Sequence, residues 1–282
     1  GIIAPIIPPS IPFVIFGVAA QVSITKLFLA GIVPGILMGL SILIAWRLIS
    51  RHDKLETRPR PPVAEIRKTF VDGIWALFLP VIIIVGLKMG VFTPTEAAVV
   101  AAVYALFVSM VVYREMSWSR LYEVFLGASK TTAVVMFLCG AATVTAYMIT
   151  LADLPNMLAD SFSGLLDQPM LFMAVMMLFL LVVGTAMDLT PTILIFGPVC
   201  APLAVKAGID PVYFGFMFIY VGCIGLITPP VGTVQNVVAG VGRLRMETVI
   251  KGTNPFLMVY VLLAVLFVIF PQLVTGPLKW MH

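Results

Sequence analysis

Charge is what this sequence has least of. Asp, Glu, Lys and Arg make up 11% of its 282 residues, whereas 61% are hydrophobic and mean hydropathy is +1.12. A soluble domain is about a quarter charged, so the chain reads as an integral membrane protein. Histidine is scarce, with only His52 and His282, in a loop and a tail. Cys139, Cys200 and Cys223 lie in apolar runs and form no CxxC or Cys/His cluster. That argues against a zinc or haem centre and leaves three small buried hydrophobes. No nucleophile–base pair stands at membrane depth, which argues against a membrane enzyme. The net charge of +4 is concentrated in a few loops, a mark of membrane orientation and not of nucleic-acid binding. An initiating Met and a signal-peptide layout are also lacking, and Gly1 opens inside an apolar run, so the chain is expected to be N-terminally incomplete.

What is present is a series of apolar runs with well-placed breakers, giving an all-α layout. A broken helix at 1–22 and a span at 27–47 form the end of a first repeat (1–47). A charged, proline-containing linker at 48–70 follows, carrying an interfacial helix near 62–72. A second repeat (71–282) holds spans 71–88, 94–113 and 127–150, a hairpin at 169–205, a broken helix at 211–241 and a last span at 254–274. The hairpin's return arm, 191–205, contains Pro198 and Pro202 and is shorter than the about twenty residues of a full crossing. The hairpin is therefore read as re-entrant from the outside, with two full spans as the alternative. Thirteen of the seventeen Lys and Arg fall in 47–68, 114–130 and 243–251. These basic loops are expected to be cytoplasmic, and the C-terminus periplasmic.

GIIAPIIPPSIP at 1–12 and GCIGLITPPVGT at 222–233 are related by a shift of 221 residues. Under it Gly1, Ile3, Ile6, Pro8, Pro9, Gly31 and Pro34 fall on Gly222, Ile224, Ile227, Pro229, Pro230, Gly252 and Pro255. Most of these are Gly or Pro, the residues that dictate backbone shape. Five crossings separate the copies, an odd number, so the copies face opposite ways. This is an inverted repeat with two discontinuous helices, as in many secondary transporters. Proline at position i leaves the carbonyl at i−4 without its helical donor. Pro8 and Pro9 free Ala4 and Pro5, while Pro229 and Pro230 free Gly225 and Leu226. Ile7 and Thr228 each precede a proline and are pushed out of helical geometry. In lipid an unmet carbonyl costs several kcal/mol, and Na⁺, a hard cation, would meet several at once. The competing reading is a kinked helix whose carbonyls are met by Ser10, Thr228 or water.

The hairpin tip, GTAMDLTPT at 184–192, crowds Gly184, Thr185, Asp188, Thr190 and Thr192 into nine residues. Asp188 is the sole acid between Asp167 and Asp210. An acid at that depth marks an ion or substrate site; alternatively Asp188 or Thr190 caps the return arm, with Pro191 as its first residue. The roles coexist, because a helix N-terminus also attracts an anionic substrate. Thr190, Thr192 and Asn236 are candidates for lining the substrate path, and Gln235 and Asn236 either line it or bond across helices. Thr93-Pro94-Thr95-Glu96 reads as a capping box.

GIIAPIIPPSIPF, SITKLFLAGIVPG, FTPTEAA, MDLTPT, GIDPVYFG and IGLITPPVG together resemble the large membrane subunit of tripartite ATP-independent periplasmic (TRAP) transporters, the DctM-like family. GIWALFLPVIII and PLKW resemble its sugar-acid branch, that of the 2,3-diketogulonate permeases. The resemblance implies an elevator-type transporter in the bacterial inner membrane, importing a C4-dicarboxylate or sugar acid. Na⁺ would be its coupling ion, with no other cofactor or transition metal. The implied partners are a small four-helix membrane subunit and a periplasmic binding protein that delivers the organic acid. The resemblance also implies ion sites where hairpin tips meet broken helices. The second would use Gly184, Thr185, Asp188, Gly225, Thr228 and Pro230. The first would use Ala4, Ile7 and Pro9, and is expected to be incomplete because the family's first hairpin has no counterpart here. A stand-alone Na⁺/carboxylate symporter or antiporter of related fold is the alternative. The purified 282-residue chain is accordingly expected to catalyse no Na⁺-dependent uptake by itself in liposomes; uptake at rates above those of empty vesicles would contradict this.

Overall fold

The computed structural model describes the backbone of residues 2–52, 61–153, 157 and 163–280. Among the described residues every regular element is helical, and seven helices are long and apolar enough to cross a membrane. The chain divides into two compact units, 1–49 with 138–282, and 50–137.

The smaller unit is a helical hairpin followed by the start of a long helix. Numbered along the whole chain, its helices are α3 (Val63–Lys88), α4 (Pro94–Phe107, extended by a π-turn at Val108–Val112) and the first part of α5 (Trp118–Leu151). The interfacial helix expected near 62–72 and the span expected at 71–88 are one continuous helix. The helix runs through Asp72–Gly73 without a break, so the polar first turns simply extend the apolar run. Gly90, at φ +68°, turns the chain after α3. The Thr93 side chain then accepts the Glu96 N–H while the Glu96 carboxylate accepts the Thr93 N–H at 2.8 Å, the capping box its sequence spells out. Two tyrosine hydroxyls fasten the hairpin: Tyr104 donates to the Trp75 carbonyl and Tyr113 to the Asp72 carbonyl, at 2.7 and 2.6 Å.

The larger unit centres on α9 (Pro211–Gly225). Asp210 caps it, its Oδ1 accepting the Val212 and Tyr213 N–H groups at 2.8 and 2.9 Å, with Pro211 as the first helical residue. All residues from Val212 to Gly225 are buried, as befits a helix apolar on every face. Around it pack α1 (Ile11–Ala19), α2 (Ile24–Ile49), the arms α7 (Pro169–Ala186) and α8 (Leu189–Lys206), α11 (Met246–Ile269) and α12 (Gln272–Trp280). A short α6 (Ser163–Leu166) precedes the arms, and α10 (Thr233–Gly242) lies between α9 and α11.

The repeat is written into the element boundaries. Shifted by 221, α1 falls on 232–240 and α2 on 245–270, within two residues of α10 and α11. Pro34 and Pro255 occupy matching places inside α2 and α11, and both proline pairs contain a cis bond. Ahead of α1, Ile2–Pro9 forms turns and bends. Pro5, Pro8 and Pro9 remove three N–H donors within five residues, so no helix propagates through them. The last span also differs from expectation. It begins at Met246 and not 254, ends at Ile269, and Phe270–Pro271 separates it from α12.

Lipid tails are as apolar as leucine, so close packing and hydrogen bonds, not water exclusion, hold such helices together. Aromatic rings fill the space around α9: Phe16 lies 5.3 Å from Phe218 and Phe216 5.8 Å from both Tyr220 and Phe267. Tyr213 and Tyr220 donate to the Phe267 and Tyr260 carbonyls, each at 2.9 Å. Seven residues forward on α9 match seven backward on α11, so the two helices run antiparallel. Tyr220→Phe keeps the ring and deletes only this bond. A loss of about 0.6 kcal/mol, at most about 1.7, is expected, read as a lower unfolding midpoint in detergent, whereas Tyr122→Phe, on an exposed ring, leaves it unchanged.

Candidate functional site

The hairpin closes in a two-residue turn, Met187–Asp188, between α7 and α8. Met173, Met177, Leu180 and Gly184 recur at helical spacing on the buried face of α7, while Val175, Leu178 and Val182 are exposed on the other. Phe179 and Phe196 meet edge-on at 5.3 Å and tie the two arms.

The tip meets the second break backbone to backbone. A Cβ on Gly225 would lie 2.6 Å from both Cα and carbonyl carbon of Gly184, and one on Gly184 would lie 3.2 Å from the Gly225 Cα. One turn earlier, a Cβ on Gly222 would come 2.6 Å from the Leu189 side chain, at the start of α8. Of the residues expected at the second ion site, Gly184 and Gly225 are thus in direct contact. Both lie at helix C-termini, where unpaired carbonyls carry the negative end of the helix dipole. Among the described residues, the Gly184, Thr185 and Ala186 carbonyls have no hydrogen-bond donor.

The remaining candidates are placed less centrally. Thr185 and Thr228 each turn their hydroxyl back onto their own helix, to the Val182 and Ile224 carbonyls at 2.7 and 2.8 Å. Pro230 is exposed. Asp188 is exposed at the N-cap position of α8, yet its side chain makes no capping bond. It lies within electrostatic range of Cys223. Pro191 is consequently the third residue of α8 and not its first, because the helix opens immediately after the tip turn. Thr190 is half-buried, and Thr192 is fully buried with its hydroxyl on the Asp188 carbonyl at 2.8 Å. Asn236 donates to Val231 at 2.8 Å, a bond within its own segment.

The freed carbonyls of the second break have protein donors. Gly225 accepts the Thr228 N–H at 2.9 Å, Leu226 the Val234 N–H at 3.1 Å, and Ile227 the Gln235 side-chain amide at 2.6 Å. The expectation that Pro229 strips Gly225 of every partner is therefore corrected: the chain folds into a tight turn that supplies an N–H from three residues on. A carbonyl oxygen has two lone pairs, so one hydrogen bond leaves capacity for a cation. At the first break, Ser10 donates to Pro5, while Ala4 is exposed and its carbonyl has no donor among the described residues. Ile7 is exposed but touches Gly35, Pro9 is exposed, and Gly31 abuts the Ile6 carbonyl.

The sequence model of the tripartite ATP-independent periplasmic transporter, DctM component, matches residues 1–273. The chain belongs to this family. It is 53% identical over its full length to the 2,3-diketo-L-gulonate TRAP transporter large permease protein YiaN of Escherichia coli, of which it covers 66%. It is 36% identical to the C4-dicarboxylate TRAP transporter large permease protein DctM of Pseudomonas aeruginosa, covering 66% of it. Over 96% of its length it is 38% identical to the sialic acid TRAP transporter large permease protein SiaM of Vibrio cholerae, covering 64% of that protein. The chain thus spans about two thirds of the length of these relatives, which are named as transporter permeases and not as enzymes. Its apolar helices and its family make it a multi-pass membrane protein.

Sequence reasoning missed the receiving ends of these bonds: that Gln235 would reach Ile227, and that α10 would close onto the break. The signal available was a lone pair of amides, Gln235-Asn236, directly after a proline break. Gly225→Ala is expected to push the tip from the break, at an overpacking cost of about 1–3 kcal/mol. Thermal unfolding checks this, with Gly240→Ala, at a glycine with nothing near its Cβ position, as the neutral comparison.

Proposed function

We propose that this chain is the permease part of a Na⁺-coupled TRAP secondary transporter that imports an organic acid across the bacterial inner membrane. The observation that carries the reading is the meeting of tip and break at Gly184 and Gly225, beside three tip carbonyls without a donor among the described residues. Unpaired carbonyls at membrane depth are costly, and two helix C-termini together favour a cation. The first turns of α8 and α10 begin beside the same tip and break, and their positive ends suit the carboxylate of the substrate. Cation and anion thus share one junction, which couples them.

The relatives are named for diketogulonate, a C4-dicarboxylate and sialic acid, all carboxylates. The 53% identity to the diketogulonate protein favours a sugar acid for this chain. The family supports delivery by a periplasmic binding protein and pairing with a small four-helix membrane subunit as part of this reading. The copies face opposite ways in this reading, the hairpin is re-entrant, the basic loops are cytoplasmic, and the unit around α9 carries the substrate as an elevator.

In detergent, the unfolding midpoint is expected to rise with NaCl relative to choline chloride at equal ionic strength. Asp188→Ala is expected to shrink that rise. A midpoint indifferent to the cation would refute Na⁺ coupling, and an unaltered response in Asp188→Ala would remove Asp188 from the site.

A further inference from the structure

Gln235 is one of very few buried polar side chains among the described residues, at 2% exposure. Its Nε2 donates to the Ile227 carbonyl at 2.6 Å, spanning the break from the far side. The adjacent Val234 N–H reaches Leu226, so the first turn of α10 grips two successive carbonyls of the interrupted helix. Gly232 makes this reversal feasible: its φ is +50°, and a Cβ there would lie 3.0 Å from the Gln235 Oε1. The first break has no such grip. Under the 221-residue shift Gln235 falls on Val14, which has no side-chain donor, and among the described residues the side-chain donor at that break is Ser10, at Pro5.

We propose that Gln235 is the positioning residue of the second break, the group that holds the Gly225–Thr228 turn against the hairpin tip before any ion arrives. The inference rests on the ion reading above but concerns a residue with no part in binding the ion itself. With Ile227 fixed by the amide, the preceding carbonyls keep one orientation, and a cation meets ligands already in place. Without it, the Ile227 carbonyl is left buried and unpaired, and the turn reorganises to find another donor.

Two variants test this in the whole chain in detergent, each read beside wild type. Gln235→Leu keeps the size and removes the donor. It is expected to raise the half-saturating Na⁺ for thermal stabilisation by about tenfold, the scale of one buried hydrogen bond, with the stabilisation at saturation largely kept. Gln235→Glu cannot donate when ionised, at about pH 8, but its carboxyl can once protonated, at about pH 4, below the ordinary glutamate value. Its midpoint in choline chloride is expected to lie below wild type at the higher pH and to rejoin it at the lower. The packed neighbour α11 carries Glu247 and Lys251, and the hairpin tip Asp188; wild type carries them too, so the paired comparison cancels their titration. An unchanged half-saturating Na⁺ in Gln235→Leu, or a Gln235→Glu deficit equal at both pH values, would overturn the assignment. A wild type indifferent to Na⁺ overturns the ion reading instead, and the choline chloride comparison then still decides whether Gln235 holds the break.

Discussion

The contact on which the rest depends is one glycine against another. Gly184 lies in the last turn of the first hairpin arm and Gly225 ends the central helix; a Cβ on Gly225 would clash with Gly184 at 2.6 Å, and one on Gly184 would press on Gly225 at 3.2 Å. There two helix C-termini meet, and among the described residues the Gly184, Thr185 and Ala186 carbonyls beside the contact have no hydrogen-bond donor. The glycines of α9 set this up along its length. Gly215 admits Phe16, Gly222 admits Leu189, and Gly225 admits the tip itself. Where hydrophobic exclusion supplies no force between helices, such close approach is how a membrane protein gains contact.

The same solvent explains the hydrogen bonds. A backbone group left unpaired in lipid costs several kcal/mol, so each interruption of a helix must be answered. The second break answers from within: a turn N–H, a helix N–H and the Gln235 amide each take one freed carbonyl. At the first break, among the described residues, Ser10 takes the Pro5 carbonyl. The two copies thus share a backbone path but not a set of supports. Tyrosine hydroxyls do the equivalent work between helices, linking α9 to α11 at carbonyls seven residues apart and α4 with its π-turn to α3 at carbonyls three residues apart.

Much of this was legible in the residues because Pro and Gly act locally. The proline pairs, the hairpin, the Thr93–Glu96 cap and the 221-residue repeat are statements about neighbouring dihedrals, and the structure places breaks and helix ends accordingly. What was not legible is long-range. No spacing says that Tyr220 will meet Tyr260, forty residues away, or that Gln235 will fold back eight residues. The continuity of the 62–72 segment with α3 is not legible in the residues, because a charged stretch resembles a boundary although a helix continues through exposed charged turns. The separate α12 was hidden inside an apolar run that Pro271 divides.

The central claim is that the tip and the break hold a cation between them. A density map of the membrane-embedded protein in Na⁺, set beside one in choline, tests it directly. The account predicts ion density contacting the Gly184–Ala186 carbonyls and the Gly225–Thr228 turn in Na⁺ alone. Maps in which those carbonyls are met by protein or water donors in both conditions, with no density particular to Na⁺, would contradict it.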